Sequence, residues 1–416
     1  MKKVLYIAFC YPPLSGIASL RALKTVKYLP HYGWEPYVLT ILPTDFLAKG
    51  YDIDMFEETD SVSVTRTSFK TQFDFSEKVK FPDIMLEVKK FICDISSYPD
   101  WFSAWRETAY VEGLKLIKEN DIDLIYSTSD PVTSHFVAKD LSYETGVKWI
   151  AEFRDLWTDG HLYNRNSILK IYDENAEKDL LSSAHALVTV SEPLKRILEE
   201  KHNKQTFVIM NGFDQDDYKD IVIEGGNKFS MVYTGTYYHT KQNINILFEV
   251  LVKLRSEEII TSADFELLFY GNFNNELKLL IENYGLNDFV RQCGHIKFKE
   301  SIQKQKEASM LLFMDWMDKR FEGIYSGKIF EYLGARKNIL AIGKKKGVVY
   351  DLIQTTKAGE VLETFSEITD FLVNKTQMYK KNISLSYSGI DEEINKYTRK
   401  IQTGKLANIL DKYQDV

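Results

Sequence analysis

The chain has 416 residues, 44% of them hydrophobic, which is material for two cores of about 200 residues each rather than one. A net charge of −7 excludes the basic footprint of a general nucleic-acid binder. Three scattered cysteines (Cys10, Cys93, Cys293) form no C-x-x-C pair, so they give no zinc signature and fit a reducing cytoplasm.

The first stretch, MKKVLYIAFCYPP, has the basic onset and apolar run of a signal peptide, but Pro12-Pro13 end the run too early. Residues 4–9 read instead as a strand covered on both faces. A loop with Gly16 follows, then a helix with Leu20, Leu23 and Val26 along one side, then a strand within 33–41. Between Lys78 and Trp105, Ile84, Val88, Phe91 and Ile95 fall on one helical face, edged by Lys78, Lys80, Lys89 and Lys90 and followed by Trp101. That stripe fits a helix packed on the first domain's sheet; it also fits a helix resting on an anionic membrane surface. No run approaches the roughly 20 apolar residues of a membrane span. Strands at 123–128, 148–153, 186–190 and 206–210 complete a doubly wound domain over 1–212. Residues 213–228, polar and acidic with Gly225-Gly226, read as a linker whose DQDD (214–217) is a solvated turn.

A second series of short apolar runs begins at once, at 229–235, 265–271, 290–294, 310–314 and 338–343. All but 310–314 end in glycine. This places turns at the carboxyl ends of parallel strands, where open α/β sheets bind ligands. The fold class is therefore α/β, with a second doubly wound domain over 229–390. A polar C-terminal helix over 391–416 is expected to pack back towards the first domain.

Within the second domain, GIYSGKIFEYLG (323–334) puts a glycine-bracketed loop before a helix. Gly323, Ile324 and Tyr325 form the loop, and Lys328 and Glu331 share a helix face at i, i+3. A helix start offers unpaired N–H groups and the positive end of a macrodipole to phosphate. Lys328 adds a full charge, and a carboxylate one turn on can accept both hydroxyls of a ribose. The pattern fits a nucleoside diphosphate; it also fits a surface Lys–Glu pair contributing only ~0.2–0.5 kcal/mol. The loop is neither a Walker A nor a GxGxxG sequence.

The stretch GKIFEYLGARKNILAIG resembles the donor-site signature of GT-B glycosyltransferases of family 4, in the Lys-x-x-Glu-Tyr-Leu variant of polysaccharide-assembly enzymes. The likeness extends to YPPLSGIASLRALKTVKYLPHYGWEPYVLT, to EFRDLWTD (152–159), and to VTVSEPLKRIL and VIMNGFD. It implies a GT-B fold, two Rossmann-like domains facing across a cleft, and a retaining, metal-independent transfer from a nucleotide sugar. UDP-sugar is the expected donor, with GDP-sugar open, and the acceptor would be a glycan or a lipid-linked carrier in surface polysaccharide assembly. The resemblance carries Gly16 to the donor sugar and phosphate, Lys241 (after Gly235) and Lys328 to the diphosphate, and Glu331 to the ribose. Gly294, His295 and Ile296 would read the base from the backbone. Thr236 stands where many members carry arginine, a charge Lys328 would replace. His135 resembles the position facing the acceptor, a structural histidine being the alternative. Arg154 belongs either to the cleft or to an ion pair with Asp155. No cofactor, metal or nucleic acid is expected, and the place is the cytoplasm or the inner face of the membrane. The other readings are a sugar-nucleotide epimerase or hydrolase of this fold and a non-catalytic partner subunit.

Overall fold

The computed structural model describes residues 1–43, 62–68, 98–161, 163–223, 226–239, 241–317, 323–383 and 385–414. The chain divides into two compact units, Met1–Met210 with Gln402–Val416 and Asn211–Ile401.

The first unit holds a parallel sheet of β1 (Lys2–Ala8), β2 (Trp34–Ile41), β3 (Ser63–Thr67), β4 (Leu124–Ser129), β5 (Lys148–Phe153), β6 (Ala186–Thr189) and β7 (Thr206–Val208). Their order in space is β3-β2-β1-β4-β5-β6-β7. Central strands are buried along most of their length because helices cover both faces: in β1 every residue from Val4 to Ala8 is buried. Strand β3 was not expected. It lies at the sheet edge and buries only Thr67, so its sequence, SVTRT, carries no apolar run. Trp105, at the start of the helix Trp105–Asn120, is fully buried and donates its indole N–H to the Thr67 hydroxyl at 2.7 Å. The stripe expected at 84–95 lies outside the described residues.

The C-terminal residues belong to this unit. Asp411 accepts from the Trp34 indole at 2.9 Å and pairs with Lys2 at 3.0 Å. Gln402 accepts from the Met210 backbone at 2.9 Å, at the point where the chain leaves the unit.

The second unit repeats the plan with β8 (Phe229–Thr234), β9 (Phe265–Tyr270), β10 (Val290–Gly294), β11 (Met310–Met314), β12 (Ile339–Ile342) and β13 (Gly359–Leu362). The order is β10-β9-β8-β11-β12-β13, again parallel. Strand β13 is a four-residue edge strand with no apolar run to announce it. Both sheets reverse their strand order beside the first strand of the series, between β1 and β4 and between β8 and β11. Such a reversal opens a crevice at the carboxyl ends of the two strands.

Of the DQDD stretch (214–217) expected as a solvated turn, Gln215 and Asp216 are exposed, while Asp214 is buried and the adjoining Tyr218 is half-buried in the second unit. The Asp214 side chain accepts from the Asp216 N–H at 3.1 Å and starts a single 3-10 turn, Gln215–Tyr218. Tyr218 then rests on Gly334, where a Cβ would come within 2.4 Å of its ring. The close approach of ring to helix backbone is what this polar stretch gains by ordering, and nothing in its composition reveals it.

Candidate active site

The helix Gly327–Ala335 follows β11 and is amphipathic. Ile329, Phe330, Tyr332 and Leu333 are buried, which leaves Lys328 and Glu331 together on the opposite face, half-buried. Ser326 stands at its N-cap position in an extended conformation, with no side chain capping the first turn. The Tyr218 hydroxyl donates to the Glu331 carbonyl at 2.7 Å and fixes the helix in place.

Lys328 turns back over the carboxyl end of β8. Its ammonium lies 3.8 Å from the centre of the Tyr233 ring and donates to the Tyr233 hydroxyl, which in turn donates to the Thr236 carbonyl at 2.9 Å. Gly235 follows with φ of +102°, and a Cβ there would meet Lys328 Nζ at 3.4 Å. The left-handed backbone is what calls for glycine here; the lysine passes it at van der Waals distance. Burial pushes the Lys328 ammonium down to about 7, against the attraction of Glu331. An ammonium in this state gains more from an incoming anion than a solvated one does.

Glu331 is raised by burial, against the pull of the Gln305 hydrogen bond, Lys328 and Arg399. The Gln305 side-chain amide, fully buried, donates to Glu331 Oε2 at 3.1 Å and to the Thr234 hydroxyl at 3.1 Å.

The loop after β8 is pinned to the end of β11. Gln242 donates to the Met314 carbonyl at 2.9 Å, and the Met317 N–H donates to the Lys241 carbonyl at 3.0 Å. Lys241 thus stands at the carboxyl ends of the two strands that flank the reversal. Beside it the sheet ends in a row of glycines. A Cβ on Gly271 would strike the Gly235 carbonyl at 2.4 Å, and the Gly271 N–H donates to the Gly294 carbonyl at 2.9 Å. Gly294 takes φ of +86° under the Phe273 ring. His295 is exposed and Ile296 half-buried on the loop that follows. Gly323, Ile324 and Tyr325 are half-buried ahead of the helix, with the Tyr325 ring 5.3 Å from Phe330. One edge of the second sheet therefore carries Gly235, Lys241, Gly294, Lys328 and Glu331. Sequence reasoning missed Tyr233 and Gln305.

In the first unit Gly16 is exposed, with φ of +107°, at the N-cap position of the helix Ile17–Tyr28. Arg154, at the end of β5, donates to the backbone carbonyls of Ser129 and Asp130 and so braces the end of β4. That is a loop-holding contact; the ion pair with Asp155 offered as an alternative is not what engages its guanidinium.

His135 points into the core of the first unit. It is fully buried, 4.4 Å from the Phe153 ring, with Nδ1 2.8 Å from the Ser127 hydroxyl and Nε2 unpartnered. The helix Thr133–Thr145 turns its whole first stretch, Thr133 to Ala138, inward, and the histidine follows. Burial holds its imidazole neutral down to about 3. Since an unfolded histidine titrates near 6.5, the neutral site contributes stability above that pH and loses it as the pH falls. His135→Ala should cost about 1–3 kcal/mol and flatten this acid dependence while leaving the acceptor KM unchanged. Thermal melts from pH 7 to pH 4, set beside acceptor kinetics, check both expectations.

Among the described residues, no group of three or more His, Cys, Asp or Glu is placed to hold a metal ion, and no helix is long and apolar enough to cross a membrane.

Residues 88–217 match the family model described as Glycosyltransferase Family 4. No curated protein matches the chain in sequence. Solved structures of the same architecture match it end to end. A glycosyltransferase from Rickettsia africae is 16% identical, with a TM-score of 0.64 over 99% of this chain and 98% of that one. Anabaena HepE, in complex with UDP and glucose, is 14% identical, with a TM-score of 0.65 over 99% and 100%. The lipopolysaccharide outer core galactosyltransferase WaaB is 12% identical, with a TM-score of 0.58 over 99% of each chain. With two Rossmann-like sheets, a family-4 match over 88–217 and end-to-end likeness to these structures, the chain is a GT-B-fold protein resembling the glycosyltransferases of family 4.

Proposed function

We propose that the chain transfers a sugar from a UDP-sugar to a glycan or lipid-linked acceptor in surface polysaccharide assembly. The observation that carries this reading is the pairing of Lys328 and Glu331 on one uncapped helix start, with Lys328 folded over Gly235 at the strand-order reversal of the second sheet. A helix start with no side-chain cap, a cation in its first turn and a carboxylate one turn on follow the order that diphosphate and ribose require. UDP is the proposed nucleotide because HepE, of the same fold, was solved with UDP and glucose bound. A surface-glycan acceptor draws its support from WaaB, a lipopolysaccharide galactosyltransferase.

Breaking the anomeric bond moves negative charge onto the leaving diphosphate. Lys328, Lys241 and the first-turn amides are the groups that would stabilise it, with no reorganisation needed at the moment of reaction. In this reading the anomeric configuration is retained and the donor phosphate helps to deprotonate the acceptor.

A panel of UDP- and GDP-sugars should be screened for thermal stabilisation, and the stabilising donors then assayed for transfer and hydrolysis. Stabilisation by one UDP-sugar and transfer to an acceptor are expected; conversion of the sugar nucleotide without any acceptor would overturn the assignment. The lysine charges also predict that transfer survives an excess of EDTA, with a rate within about twofold of the untreated enzyme. A loss restored by Mg²⁺ or Mn²⁺ would refute that part.

A further inference from the structure

Gln305 is one of several buried side chains with an unpartnered polar atom, and it is the one that reaches the candidate site. It is wholly enclosed on the helix Phe298–Glu307, and its Oε1 has no hydrogen-bond partner. A buried amide oxygen left unpaired calls for an explanation. Its other end supplies one. Nε2 donates to Glu331 Oε2 and to the Thr234 hydroxyl, each at 3.1 Å, and lies 3.3 Å from the Ser301 hydroxyl. Turning the amide over would set Oε1 against the Glu331 carboxylate oxygen, two acceptors face to face. The orientation is thus fixed by Glu331, and one buried acceptor is sacrificed to donate to it.

Two constraints follow for Glu331. Its Oε2 is occupied from within the protein, and the peptide group of the same residue is held by Tyr218. With carboxylate and backbone both fixed, the remaining oxygen, Oε1, points in one direction only. Thr234, which shares the Gln305 amide, immediately precedes Gly235 and accepts no freedom of its own: its N–H donates to the Tyr332 hydroxyl at 3.0 Å. Gln305 therefore couples the end of β8 to the carboxylate of the following helix.

We propose that Gln305 is a positioning residue for the nucleotide site, holding the Glu331 carboxylate so that its free oxygen meets the ribose hydroxyls. This rests on the reading of Glu331 as the ribose-binding group, and the test keeps the two apart. The probes are UDP and 2′,3′-dideoxy-UDP, and the quantity is the ratio of their Kd values. In the unaltered chain UDP should bind at least about tenfold tighter, as expected for charge-assisted hydrogen bonds to a carboxylate. Glu331→Ala should bring the ratio close to one. Gln305→Met, of similar length and without a donor, should reduce it to about two- or threefold by weakening UDP while leaving the dideoxy compound unchanged. In steady state the same variant should raise the donor KM and spare kcat. Should Gln305→Met not fold, Gln305→Glu keeps the volume; it sets two carboxyls face to face, so the ratio should collapse above pH 7 and partly recover below pH 5.5 as one proton is shared. No discrimination in the unaltered chain would remove Glu331 from the ribose. Full discrimination in the Gln305 variants, with Glu331→Ala still abolishing it, would overturn the positioning role alone.

Discussion

Lys328→Met should weaken UDP binding by a hundredfold or more and reduce transfer in proportion. The side chain spans the gap between the helix Gly327–Ala335 and the end of β8, where it packs on the Tyr233 ring and against Gly235. Methionine can keep that packing, so the loss would report the charge. A charged hydrogen bond is worth about 1.5–3 kcal/mol, and a partly buried ion pair with a diphosphate adds to it. The proton state sharpens the expectation. In the free protein burial lowers the ammonium to about 7, while a bound diphosphate favours the charged form. Binding must therefore draw in a proton wherever the lysine starts neutral. UDP affinity should fall about tenfold per pH unit from roughly pH 7.5 to 9, the limiting slope for uptake of one proton, and Lys328→Met should abolish the slope. Calorimetry in buffers of different ionisation enthalpy measures the uptake directly. A flat profile in the unaltered chain would show that the diphosphate does not meet this lysine.

The same helix shows what a sequence discloses and what it withholds. Lys328 and Glu331 were legible because a regular helix fixes residues three apart on one face, whatever surrounds it. Their neighbours were not. Gln305 sits in FKESIQKQKE, a polar helix whose sequence gives no reason to expect a fully enclosed amide; its partners come from the helix Gly327–Ala335 and the end of β8, distant in sequence. Tyr233 lies in an ordinary strand pattern, FSMVYT, and its hydroxyl acquires its place from Lys328. The central strands were readable because both faces are covered, whereas β3 and β13, at sheet edges, left no apolar run. For His135 the sequence left two readings open, and its burial agrees with the structural one. A histidine after a strand's carboxyl end looks available, but this helix begins with its first six residues turned into the core.

Arg21→Met should be the most destabilising single change in the first unit, and the cause is a buried charge rather than a lost contact. Arg21 and Glu152 are both almost fully enclosed, with Nη2 2.5 Å and Nε 3.0 Å from Glu152 Oε1. The guanidinium also donates to the carbonyls of Ile209, at 2.7 Å, and Met210, at 2.9 Å. It thereby joins the helix that begins at Gly16 to β5 and to the residues where the chain leaves the unit. Burial alone would raise the Glu152 carboxyl, but Arg21 overrides it and holds the group below its ordinary range. Methionine would leave that carboxylate enclosed without a counter-ion, which costs about 3–5 kcal/mol. For a unit of this size the melting temperature should fall by about 2–4 °C per kcal/mol. Adding Glu152→Gln should recover much of the loss, because removing both charges leaves none stranded. The depressed carboxyl also fixes the sign of the acid response. Its stabilisation is complete above the unfolded carboxyl value of about 4.3 and fades as the pH drops through the lower folded value. The unaltered protein should therefore lose stability on acidification through this window, while the Arg21→Met, Glu152→Gln double variant should show a shallower dependence. Thermal melts of the single and double variants at pH 7 and pH 3.5 give the full cycle. If the double variant proves as unstable as Arg21→Met alone, the stranded carboxylate is not the cause, and the lost bonds to Ile209 and Met210 carry the effect.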